Sequence, residues 1–360
     1  MSTRNSSLLS TQRTGVLYAL AAAMLFGTST PLAKQLLGAS EPLMLAGLLY
    51  GGSGVGLAAA LIARQVATSS AHRIDWPTAI EYRSLAAAIV LGGVVAPPLL
   101  LFGLTTTLAS TASLLLNLEA VLTALFAWIL FRENFDRRIA LGMAAIVAGG
   151  LVLAWTPGEP ARWVSGVALI TAACGCWALD NNLTRRVSQR DPLVIAAMKG
   201  IVAGAVNLAL ALRFGQRVPP LGETALALVV GFAGYGVSLV LFVVALRNLG
   251  TARTGAYFAV APFFGALYAL VVQHEAFTAP LGFAGALMAF GVWLHVSEHH
   301  AHRHVHAVQT HAHPHVHDEH HRHTHDFAWD GREPHAHPHR HEAIEHAHAH
   351  VPDIHHRHPH

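Results

Sequence analysis

The sequence predicts an all-α integral membrane protein: ten transmembrane helices as two inverted five-helix repeats, followed by a disordered histidine-rich tail. Three observations predict it. Of 360 residues, 53% are hydrophobic and only 12% charged, a composition of membrane proteins rather than of soluble domains. The chain up to residue 297 is punctuated into apolar runs of roughly 17 to 24 residues, each long enough to cross a hydrocarbon core of about 30 Å as a helix. Beyond that point the composition changes abruptly to histidine. Open strands would leave backbone groups unpaired in lipid, and the alternation of an outer-membrane barrel is absent, so the runs are read as helices.

The ten runs cover 15–37, 42–63, 85–104, 108–131, 139–155, 164–183, 193–212, 225–246, 255–272 and 281–296. They divide the chain into a polar lead (1–14), a first repeat (15–155), a second repeat (164–297) and the tail (298–360). The lead, MSTRNSSLLSTQRT, has no small-residue cleavage site and reads as cytoplasmic. With that start, one side of the membrane receives Arg64, Arg73, Arg83, Arg132, Arg137, Arg138, Arg185, Arg186, Arg190, Arg247 and Arg253, and the other only Lys34, Arg162, Arg213 and Arg217. This bias places both termini in the cytoplasm of a bacterial-type inner membrane, in a multi-pass chain.

The halves repeat. Residues 15–43 (GVLYALAAAMLFGTSTPLAKQLLGASEPL) match 166–193 (GVALITAACGCWALDNNLTRRVSQRDPL), with Lys34 opposite Arg185. Residues 109–135 (ASTASLLLNLEAVLTALFAWILFRENF) share their layout with 251–277 (TARTGAYFAVAPFFGALYALVVQHEAF). Five spans per repeat, an odd number, put the copies in opposite orientations, and inverted repeats place a substrate site near the midplane between the halves.

These motifs, a small-residue helix running into an apolar one that ends in Glu and then a glycine-punctuated helix, resemble the EamA-type transporters of the drug/metabolite transporter superfamily. The resemblance covers about residues 13–297. It implies alternating access around a central cavity lined mainly by the first four helices of each half, and a secondary transporter, often an exporter, of a small solute. The family's mid-helix proline is present as Pro262 but is replaced by Ala120 in the first half.

Residues of the substrate path are sought among polar groups at membrane depth. A carboxylate there costs roughly 2.5 to 3.5 kcal/mol on insertion scales and marks a bundle interior or a path. Glu119 is such a group. Asn117, two residues away, faces nearly the opposite side of a helix, so Glu119 is assigned to the cavity, with Thr123 one turn on. A structural carboxylate bonded to a neighbouring helix is the alternative. Asp180 and Lys199 are expected to pair, as gate or as structure. Asn181, Asn182 and Asn207 offer donors to either role, and Trp177, Tyr235 and Tyr257 line a cavity or pack. Cys174 and Cys176 point about 200° apart on one helix and read as packing residues rather than a joint ligand pair. Pro31, Pro97, Pro98 and Pro262 free carbonyls inside spans. Gly51, Gly52, Gly54 and Gly56 permit close helix contact.

Twenty-five of the 27 histidines lie at or after His295. In H-x-H steps they include His302, His304, His306, His311, His313, His315, His317, His321, His323, His325, His335, His337, His339, His341, His346, His348, His350, His356, His358 and His360. So few aliphatic residues cannot bury a core, so the tail is expected to be disordered. Imidazole suits nickel, cobalt and zinc, so the tail is expected to bind these metals, while the core requires no cofactor.

Three functions follow: a secondary exporter whose cargo is a divalent transition metal or a small solute, a metabolite or drug exporter with an incidental tail, and a membrane-tethered metal buffer or sensor. The expected partners are the lipid bilayer and the solute or metal ion, with proton coupling and a homodimer left open. No nucleophile–base spacing or phosphate loop points to an enzyme, and nothing points to nucleic acid.

Overall fold

The computed structural model describes residues 2–67, 76–131, 137–155, 161–184, 187, 190–249, 251–297, 301–306, 309–315, 335–341 and 344–349. Arg73, Arg132, Glu133, Arg185, Arg186 and the tail histidines His317, His321, His323, His325, His350, His356, His358 and His360 lie outside them. The chain divides into a helical unit, Met1–Ser297, and a tail unit, Glu298–His360.

Among the described residues, ten helices are long and apolar enough to cross a membrane. The lead is continuous with the first span: α1 runs Ser2–Leu36. Then come α2 (Pro42–Ala67), α3 (Ala79–Ala88), a π-helical segment (Ile89–Val95) and α4 (Ala96–Leu104). The last three form one span, Ala79–Leu104. The fourth span consists of α5 (Ala109–Leu115) and α6 (Leu118–Phe131), and α7 (Arg137–Ala154) closes the first half. The second half repeats the plan with α8 (Ala161–Thr184), α9 (Pro192–Arg213), α10 (Leu221–Gly231), a second π-helical segment (Phe232–Val237), α11 (Ser238–Leu249), α12 (Thr251–Phe258), α13 (Ala261–Val271) and α14 (Ala279–Val296). Asp191 caps α9, accepting from the Leu193 amide at 3.0 Å, with Pro192 in the first turn where no N–H is needed.

Both halves are interrupted at matching places. The third and eighth spans each carry a π-helical segment, and the fourth and ninth each break in a turn, at Leu116-Asn117 and at Ala259-Val260. Pro262 accounts for the second break by withholding an N–H. The first break forms without a proline: the Asn117 amide N–H bonds Leu114 O at 3.1 Å and its side chain donates to the same carbonyl at 2.9 Å. Asparagine thus offers the backbone a local alternative to the helix ladder, and Ala120 leaves the break in place.

Repeat counterparts pack on one another. The second span lies on the seventh, the fifth on the tenth, and α5 on α13. Glycine allows the approach: a side chain at Gly54 would meet the backbone of Gly200 and Ile201, and one at Gly27 in α1 would meet the backbone of Ala261 in α13. The core between these helices is Met44, Leu45, Leu101, Leu104, Leu115, Ile146, Ile170 and Met288, all fully buried. The outer surface exposes large apolar residues such as Ile62, Ile80, Leu151, Leu221 and Phe283, which suits a bilayer as solvent and would not suit water.

The described residues of the tail unit are in strands. Four strands, β1 (Ala301–His306), β2 (Gln309–His315), β3 (His335–His341) and β4 (Ile344–Ala349), form two antiparallel pairs, β1 with β4 and β2 with β3. The H-x-H alternation has the period of a strand, and antiparallel pairing satisfies backbone groups without needing the core that composition denies this segment.

Candidate functional site

The prolines of the third span start the site. Pro97 and Pro98 bring no N–H back to the preceding turn, which leaves carbonyls at Gly92 and Gly93 for other donors. Gly93 O accepts from the Asn207 side chain of α9 at 3.0 Å. Gly92 O accepts from the Tyr50 hydroxyl of α2 and from Trp177 Nε1 of α8, both at 2.9 Å. Gly92 also has to be glycine for packing, because a Cβ there would collide with the Asp180 carboxylate.

Asp180 and Lys199 pair as the sequence leads one to expect: Lys199 Nζ donates to both carboxylate oxygens at 2.6 Å, and Thr184 Oγ1 donates to Oδ1 at 2.8 Å. Asp180 is buried, so its charge is compensated in place.

Glu119 lies in the first turn of α6 and is only partly buried. Its Oε1 accepts from Asn181 Nδ2 of α8 at 2.8 Å, and the same amide reaches Thr123 Oγ1 at 3.4 Å. Glu119, Thr123 and Asn181 therefore form one cluster. Asn182 instead ties α8 to the Thr123 carbonyl at 3.1 Å. Asn117 is buried and turned toward Met288 of α14, 3.9 Å from its sulfur, on the side away from Glu119.

The other sequence candidates separate. Cys174 is buried, with its thiol toward Leu115 O, and Cys176 is partly buried; neither forms a disulfide. Tyr257 stands partly exposed on α12 and Pro262 opens α13, neither in the Glu119 cluster. Tyr235 lies in a ring cluster that sequence reading did not assemble: it packs with Phe26 (centroids 6.0 Å) and Tyr50 (5.6 Å), and Phe26 packs with Phe258 (5.4 Å). Phe26, Tyr50 and Phe258 were not singled out in the sequence.

Lys34 and Glu275, also missed as site residues, close one end of the bundle. The Lys34 ammonium donates to Thr107 O at 2.9 Å and to Leu104 O, at the end of α4. Glu275 accepts the Ala109 and Ser110 amides, the first of α5, at 2.8 and 2.9 Å. Both act on helix ends whose backbone groups lack helical partners. His274, in a left-handed conformation at φ 55°, turns the chain after α13 so that Glu275 reaches α5, while Gln273 donates to the Pro31 carbonyl at 2.6 Å. Nothing comparable joins α6 to α12 at the other end of the same two spans, among the described residues.

Comparison with known proteins matches residues 13–155 and 164–297 to the EamA-like transporter family. An uncharacterized transporter of Methanothermobacter thermautotrophicus is 34% identical over 221 residues, 59% of this chain; the chain spans 64% of that relative's length. A crystal structure at 22% identity, covering 78% of this chain and 95% of its own, superposes with a TM-score of 0.57 and supports the fold.

Proposed function

We propose that this chain, which belongs to the EamA-like transporter family, moves a small solute by alternating access, with the arrangement described above closed at one end of the bundle and open at the other. The observation that carries this reading is the asymmetry of the fourth and ninth spans: α5 is packed on α13 and fastened by Glu275, while among the described residues α6 and α12 do not pack as closely. Two halves related by an inverted repeat reverse such an asymmetry by rocking, which exposes a midplane site to each side in turn.

The basic loops put the closed end on the non-cytoplasmic side and the open end on the cytoplasmic side, the state in which an exporter loads. Glu119, Asn181 and Thr123 then lie on the loading path, with Asp180 and Lys199 beside it.

A metal-handling reading attaches to the tail. Its strand register sets five histidine pairs directly across from one another: His302 with His348, His304 with His346, His311 with His339, His313 with His337 and His315 with His335. Imidazole suits nickel, cobalt or zinc, so the tail captures a divalent metal.

Flux into everted membrane vesicles tests the transport reading, with nickel, cobalt, zinc and organic solutes offered separately. Flux of any of these that Glu119→Gln abolishes supports it. Absence of flux for every solute while the purified protein still binds metal would leave a membrane-tethered buffer.

A further inference from the structure

Histidine recurs at every second position within the strands of the tail, and the strands pair so that histidine stands opposite histidine. Both strand pairs keep one register. Three residues separate His306 from Gln309 on one side, and three separate their partners, Ile344 and His341, on the other. A slip of one residue would set His302 opposite Ala347 or Ala349, and His313 opposite Ala336 or Pro338, so the match belongs to this register.

Alternate residues of a strand belong to one face, so the register places His302, His304, His346 and His348 on one face of the β1–β4 pair and small residues such as Ala347 on the other. Facing residues of an antiparallel pair have Cα atoms about 4.5 to 5.5 Å apart. The two histidines of one H-x-H step are about 6.8 Å apart along the strand. By backbone position, the nearest histidine to each is the one across the pair rather than the one along the chain.

Resting on the metal-handling reading of the tail above, we infer that a divalent ion is bound across β1 and β4, by His302 and His304 of one strand together with His346 and His348 of the other, and that β2 and β3 carry a second block of the same kind. Four imidazoles complete a tetrahedral zinc site, and the same nitrogen donors suit nickel and cobalt. No cage of three or more His, Cys, Asp or Glu groups stands ready among the described residues, so the ion gathers its ligands from the register. An isolated two-stranded pair is marginal in water, and this segment has few aliphatic residues to bury. An ion that ties the two strands supplies the stability that composition withholds, which makes strand pairing and metal binding one equilibrium. Binding of a separate ion by each H-x-H step would give the register no role.

The test uses the full-length purified protein with zinc as the probe, counted by equilibrium dialysis and elemental analysis. His302→Asn with His304→Asn in β1, and His346→Asn with His348→Asn in β4, are each expected to remove about one ion per chain. All four replacements together are expected to remove no more than either pair, because both pairs serve one site. Losses that add, or no loss from either pair, would overturn the inference. Spin labels on cysteines placed at Ala301 and Ala349, which are register partners, in a chain lacking Cys174 and Cys176, report the strands directly. Zinc is expected to increase their dipolar broadening, and the β4 replacements to abolish that increase. Zinc uptake with no change in broadening also counts against a site shared between strands. Failure of the underlying metal reading looks different: deletion of residues 299–360 then leaves bound zinc unchanged.

Discussion

Asp180 and Lys199 hold each other inside the bundle, where an unpaired charge is costly. Removing one partner leaves a buried charge uncompensated, which costs on the order of 3 to 5 kcal/mol, whereas replacing both with neutral residues of similar shape is far milder. Asp180→Asn and Lys199→Met are each expected to lower thermal stability in detergent, and the double variant to recover most of the loss. If the double variant is as unstable as the worse single one, the pair does not act as a unit. Gly92 belongs to the same argument, because its missing side chain leaves room for the Asp180 carboxylate while its carbonyl accepts from Tyr50 and Trp177. Gly92→Ala is expected to disturb both sets of contacts and to lower solute binding more than a packing change alone.

Helix ends decide the state of the bundle. Glu275 satisfies two amides of α5 from a loop of the other half, and charge-assisted bonds of this kind are about twice as strong as neutral ones. They exist only while α5 and α13 are together, so they bias the protein toward the arrangement closed at this end. Glu275→Ala is expected to increase labelling, by a membrane-impermeant thiol reagent, of a cysteine placed at Ser110 in a chain lacking Cys174 and Cys176. Unchanged labelling would mean that packing alone keeps this end shut. Gly27 tests the packing separately. A side chain there would strike the Ala261 backbone, so Gly27→Val is expected to separate α1 from α13 and raise the same labelling even with Glu275 intact.

At the scale of the whole chain, the helices and the tail form two units. The helical unit holds its own core, so deletion of residues 299–360 is expected to leave its melting temperature within a few degrees of wild type while removing most bound nickel, measured by equilibrium dialysis with elemental analysis. A large fall in stability would show that the tail supports the helices. Much of the helical unit was legible in advance: span number, the inverted repeat and the Asp180–Lys199 pair all follow from length, composition and the rule that membrane charges seek partners. Two-residue spacing assigned Glu119 rather than Asn117 to the cavity; the structure adds that Glu119 bonds Asn181 of α8 while Asn117 faces Met288, with a turn at Leu116-Asn117 interrupting the helix between them. The ring cluster, the Gly92 carbonyl and the Glu275 cap were not legible, because each joins residues far apart in sequence whose types are ordinary in a membrane helix.

By itself the sequence determined the solvent of this protein and its plan. Apolar runs of one length have to be helices in lipid, and an odd-numbered repeat has to be inverted. Only the tertiary structure decided which groups meet. Lys199 chose Asp180 and left Glu119 with an amide, and Glu275 joined α5 rather than standing free in its loop. Those choices depend on how helices from the two halves approach through glycines and broken turns. Spacing along one helix is set by the backbone, whereas distance between helices is set by packing.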